Sequence, residues 1–117
     1  METDEHLIIG RHPQLDEILG KLRDELQNIY GDRLAHFILY GSQARGDAEK
    51  YSDIDIMIVL KHEFDSYEES KHTLQFIADL SLEYSVVISR IFISEDRFLT
   101  GDTGLLQNVR QEGIEVT

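Results

Sequence analysis

Residues 39 to 60 read LYGSQARGDAEKYSDIDIMIVL, and this stretch decides how the chain folds and where its chemistry sits. Leu34 to Tyr40 is apolar enough for a buried strand, and Ile54 to Leu60 for a second, with a polar loop from Gly46 to Tyr51 between them. Strand side chains alternate faces, so Asp53 and Asp55 point one way while Ile54, Ile56 and Ile58 point the other. Two carboxylates are therefore expected side by side where the second strand begins. Their repulsion raises at least one pKa unless a cation lies between them. Hard oxygen donors, with no Cys in the chain and its five His scattered, favour magnesium, with manganese possible, over zinc. Such an ion keeps waters and shares its remaining positions with phosphate oxygens, so the pair asks for a nucleotide.

Tyr40-Gly41-Ser42 supplies the other half. Gly41 lacks a Cβ and lets backbone and ligand approach closely, and Ser42 is expected to cap a short helix from Gln43 to Gly46 whose free N–H groups face an anion. Arg45, on the same turn, is expected to contact phosphate or to pair with Asp47 or Asp53.

Gly41-Ser42, ten intervening residues, then Asp53-Ile54-Asp55 resembles the signature of the DNA polymerase β-type nucleotidyltransferase superfamily, and within it the minimal MNT branch, antitoxin partners of HEPN-domain ribonucleases. The resemblance implies an α+β minimal nucleotidyltransferase fold, a small mixed sheet of three or four strands packed with helices. It implies Asp53 and Asp55 as catalytic metal ligands, Gly41, Ser42 and Arg45 as nucleotide-binding residues, and Mg2+ and ATP as cofactor and substrate. The implied activity is transfer of AMP to a tyrosine hydroxyl of a HEPN toxin, which silences it.

One departure from the family pattern stands out. Relatives usually carry a third acid on the strand beside the DxD pair, yet Val86 to Ile93, the expected third strand, offers only Ser89 and Arg90 as polar residues. Glu83, or less favourably Asp79, on the preceding helix is the tentative replacement. Without one, two rivals stay open. The chain is an antitoxin that neutralises by binding alone, or a small-molecule nucleotidyltransferase of the aminoglycoside type completed by a partner.

Composition bounds the rest. A chain of 117 residues is expected to form one domain, with residues 1 to 11 frayed. No apolar run is long enough to span a membrane and the N-terminus lacks a signal-peptide pattern, so a soluble cytoplasmic protein is expected. Eleven basic against 23 acidic residues give a formal charge of -12, which repels nucleic acid and argues against a polymerase. Along the chain, His12-Pro13 is expected to open a helix carrying Leu15, Ile18, Leu19, Leu22, Leu26 and Ile29 to a stop at Gly31. Asp65 and Glu68 form a capping box for a helix to about Tyr84 with an apolar stripe of Leu74, Ile77, Ala78 and Leu82. Glu95 and Asp96 open a short helical turn, Leu105 to Glu112 form the last helix, and Ile114 and Val116 are left to pack on the sheet or on a partner.

Overall fold

The computed structural model describes residues 8–117. In chain order it contains β1 (Ile8–Gly10), α1 (Leu15–Tyr30), β2 (Leu34–Tyr40), α2 (Ser42–Arg45), β3 (Ala48–Glu49), β4 (Ile54–Leu60), α3 (Ser66–Tyr84), β5 (Ile88–Ser94), α4 (Glu95–Thr100), α5 (Gly104–Glu112) and β6 (Ile114–Glu115). The main sheet has the order β5-β4-β2-β6 and is mixed: β4 runs antiparallel to β2 and parallel to β5. The parallel pair follows from the long crossover through α3, and the antiparallel pair from the short excursion between Gly41 and Asp53. This is the small mixed sheet with helices that the sequence led us to expect.

Alternation along β4 sorts the core into two layers. Ile54, Ile56, Ile58 and Leu60 meet Leu15, Ile18, Leu22 and Leu26 of α1 and Ile77, Leu80 and Tyr84 of α3. Met57 and Val59 face the other way, towards Phe98 of α4 and Leu106 and Val109 of α5. Asp53 and Asp55 share the parity of Met57 and Val59, so they belong to the face opposite α1 and α3.

Several local expectations are corrected. Fraying of residues 1 to 11 falls partly outside the described residues, but Ile8–Gly10 is a strand, paired antiparallel with β3. Arg11 is anchored as well, donating from Nε to the Gln43 carbonyl at 3.0 Å and from Nη2 to that of Ala44 at 3.2 Å. β3 lies inside the expected loop from Gly46 to Tyr51. Helix α1 starts two residues after Pro13, with Gln14 at its N-cap. On α3, Asp65 caps as expected, accepting from the Tyr67 and Glu68 amides, but the buried face is Glu69, Thr73, Ile77, Leu80 and Tyr84. Leu74 and Leu82 point outward, 59% and 81% exposed. Polar residues take the inward positions because each finds a partner: Glu69 lies 3.5 Å from Arg33, and the Thr73 hydroxyl accepts from Arg90 Nε at 2.7 Å. The third strand begins at Ile88 rather than Val86. The tail packs on the sheet through β6, and Gly113 is required there because a Cβ would meet the Val109 carbonyl oxygen at 2.4 Å and Ile38 Cγ2 at 2.7 Å.

Candidate active site

The end of β2 and the start of β4 face each other in register, Tyr40 opposite Asp55, and β5 adds Ser89 opposite Asp55 on the other side. Three neighbouring strands therefore deliver their polar residues to one end of the sheet. Asp53 is exposed and Asp55 half-buried, while Ile54 between them is fully buried. The Ile54 amide donates to the Val87 carbonyl at 2.9 Å, which fixes the strand where the acids leave it.

Gly41 turns the chain at φ +75°, in the left-handed region that L side chains avoid. Its missing side chain is also a space requirement, because a Cβ there would lie 2.4 Å from Asp55 Oδ2. The glycine thus brings the elbow's backbone against the carboxylate. Expectation had the gap opened for a ligand; in the structure Asp55 itself occupies it.

Gly41, not Ser42, holds the N-cap position of α2, with its carbonyl accepting from the Ala44 and Arg45 amides at 3.1 Å. The expected cap by the Ser42 side chain is not made, because Ser42 is already the first helical residue. The leading amides of a helix lack intrahelical acceptors, so those of Ser42 and Gln43 remain the donors this turn offers to an anion.

Arg45 pairs with Asp47 at 3.2 Å and approaches Glu112 at 3.7 Å, on the protein's surface. It bonds to neither member of the acid pair, yet its field lowers the pKa of Asp55. Burial and the negative charge of Asp53 outweigh that field, and the Asp55 carboxyl titrates above its ordinary range. The same carboxylate, together with burial, pushes the Tyr40 hydroxyl up. Two neighbouring carboxylates, one of them half-buried and raised by its surroundings, at a polar strand end with no sulfur donor, fit a hard divalent cation such as magnesium.

No third acid joins them. Among the described residues no group of three His, Cys, Asp or Glu side chains is placed to hold a metal. Glu83, the tentative third carboxylate, is spoken for: its Oε2 accepts from Lys21 Nζ at 2.8 Å across the α1–α3 seam. Asp79 likewise accepts from Gln75 on its own helix at 2.8 Å. The position beside the pair belongs to Ser89, whose hydroxyl lies 3.5 Å from Asp53 Oδ2.

Sequence reading missed Gln43. It is 1% exposed, its Oε1 accepts from the His12 amide at 2.7 Å, and its Nε2 donates to the Ser52 carbonyl at 3.4 Å. The elbow is thereby tied both to the segment before α1 and to the residue preceding Asp53. A polar residue following Gly-Ser carries no periodic signal, and only its burial reveals the role.

Residues 19–114 match the model of the nucleotidyltransferase domain family. A candidate protein adenylyltransferase of Methanocaldococcus jannaschii is 31% identical over 103 residues, 88% of this chain and 99% of that protein. A second from the same organism is 41% identical over 83 residues, 71% of this chain and 77% of its own length. Among solved structures, a chain of a toxin–antitoxin complex crystallised with AMP-PNP superposes with a TM-score of 0.61 at 19% identity, over 85% of this chain and 72% of its own. A candidate nucleotidyltransferase from Sulfolobus solfataricus gives 0.62 at 19%, over 87% and 78%. A chain of the tri-AMPylated Shewanella oneidensis HEPN toxin in complex with MNT antitoxin gives 0.55 at 19%, over 89% and 71%. At such identities these structures show a shared fold.

Proposed function

Because this chain belongs to the nucleotidyltransferase domain family, we propose that it is an antitoxin that transfers AMP from ATP to a tyrosine hydroxyl of a partner HEPN-class ribonuclease and so silences it. The relatives named as candidate protein adenylyltransferases support AMP transfer to protein. The fold shared with chains of toxin–antitoxin complexes, one with an AMPylated toxin, supports the kind of partner.

In this reading the acceptor oxygen attacks the α-phosphorus, an O–P bond forms, and the bond from that phosphorus to the oxygen bridging to the β-phosphate breaks. Pyrophosphate leaves and the hydroxyl proton passes to solvent. Asp53 and Asp55 would hold the divalent ion, which when bound neutralises phosphate charge. The amides of Ser42 and Gln43 would receive the departing phosphates, and Gln43 keeps that turn aligned with Asp53 through Ser52. The remaining catalysis is positioning.

The observation that carries the reading is the acid pair set against the Gly41 elbow with Ser89, not a carboxylate, beside it. A site without a third carboxylate lacks an obvious base. A phenol, with a pKa of about 10, needs less help in losing its proton than an aliphatic alcohol. That favours a tyrosine acceptor over a sugar hydroxyl. The same observation favours a second reading, inhibition by binding alone. Incubation with α-labelled ATP, magnesium and the partner ribonuclease separates them. Label on the partner is expected, whereas inhibition without label would establish the second reading, and label on an added aminoglycoside instead would indicate a small-molecule enzyme.

A further inference from the structure

A groove of about 840 Å³ opens around the end of the sheet from the acid pair. Ile9, Pro13, Tyr51, Leu82, Val86 and Val87 give it an apolar wall. Four of these are large side chains left open to solvent: Ile9, Tyr51 and Val87 at 44%, 67% and 59%, and Leu82 at 81%. Exposed apolar surface gathered in one concavity marks a binding site more often than scattered exposure does.

Its charge is as distinctive as its apolarity. In a chain with 23 acidic and 11 basic residues, the described residues of the lining include no Asp or Glu, and the basic groups among them are His12 and Lys50. The groove also adjoins the candidate active site through the chain itself: Ser52 of its wall precedes Asp53, and Val87 of its wall accepts the hydrogen bond from the Ile54 amide.

Two occupants compete, the nucleotide base and a polypeptide. Leu82 and Ser81 of the lining belong to α3, which packs on the face of β4 opposite to the one that Asp53 and Asp55 share. A base tethered by its ribose to an α-phosphate at the acids would have to bend around the sheet end to reach that wall. A polypeptide crosses such an edge readily, leaving one residue at the acids and its neighbours in the groove.

We propose that this groove docks an apolar segment of the protein acceptor, next to the tyrosine that receives AMP, and so selects which hydroxyl is modified. The inference rests on the reading of the chain as a protein adenylyltransferase. The segment's chemistry is set by the wall, which suits aliphatic or aromatic side chains.

The test uses Leu82→Glu and Val87→Glu, both at exposed positions where the fold is not at stake, with Leu74→Glu as a control that places the same charge on α3 outside the lining. Affinity for the acceptor protein is measured without nucleotide, alongside AMP-PNP affinity in magnesium and the rate of acceptor labelling. The two groove variants are expected to lose about tenfold or more in acceptor affinity and to raise KM for labelling, with AMP-PNP binding unchanged and the control at wild-type level. Unchanged acceptor affinity in both variants would overturn the inference. So would a matching loss of AMP-PNP binding, which would assign the groove to the base, or conversion of a wild-type dimer to monomer, which would assign it to a second copy. If wild type fails to label the acceptor while the groove variants still weaken its binding, the adenylyltransferase reading falls and the docking groove stands.

Discussion

Strand β4 passes through two environments, and the contrast between its ends explains the candidate site. From Ile56 to Leu60 every residue is buried to 1% exposure or less, on both faces. At Asp53 to Asp55 burial alternates instead, with Ile54 locked in the core and the two acids outside it. The buried end gives the strand its rigidity, and the open end uses that rigidity to hold two like charges at a fixed spacing. A loop could not do this without conformational cost, since repulsion would drive the carboxylates apart. The same division separates effects on activity from effects on stability.

Replacing Asp55 with alanine tests the open end most severely. Label transfer is expected to fall by about a thousandfold or more, with the thermal transition within a few degrees of wild type. At the buried end the pattern inverts. Ile58→Ala is expected to cost about 3 kcal/mol of stability, read by denaturant melts, while transfer by the fraction still folded stays near wild type.

Gly41→Ala joins the two ends, because the added methyl competes with Asp55 Oδ2 for one place and sits on a backbone of positive φ. Transfer is expected to drop about a hundredfold through displacement of the carboxylate, with a stability loss of about 1 kcal/mol. Equal losses in Gly41→Ala and Ile58→Ala, for the folded fraction, would erase the distinction.

The smallest effect concerns pH. Burial and Asp53 raise the Asp55 pKa in the folded state, so the folded protein binds this proton more tightly than the unfolded chain does. Stability is then lost as pH rises from the ordinary carboxylate range to the raised folded value, and the penalty is fully present above it. In metal-free buffer Asp55→Asn should therefore melt slightly higher than wild type at neutral pH, and the difference should vanish in acid. A variant that melts lower at neutral pH would contradict a destabilising charge at Asp55.

Much of this was readable in the amino-acid order. The limits of β2 and β4 coincide with the expected strands, because both are apolar runs closed by Gly-Ser or opened by Ser-Asp. Asp65 caps α3 as its spacing with Glu68 predicts. What stayed hidden depends on partners distant in sequence. The β1–β3 ribbon rests on two residue pairs and has no periodicity of its own. The inward face of α3 includes Glu69 and Thr73 only because Arg33 and Arg90 reach them. Glu83 lies on α3, which packs on the sheet face opposite the acid pair, and Lys21 claims it. Gln43 became visible only when its side chain was seen bridging His12 and Ser52.

The most direct test of the account is the intact mass of the partner ribonuclease after incubation with this chain, ATP and magnesium, followed by peptide mapping. Mass gain in whole AMP units on tyrosine, absent with Asp55→Ala, is the predicted result. Suppressed ribonuclease activity at unchanged mass, or an equal gain with Asp55→Ala, would contradict it.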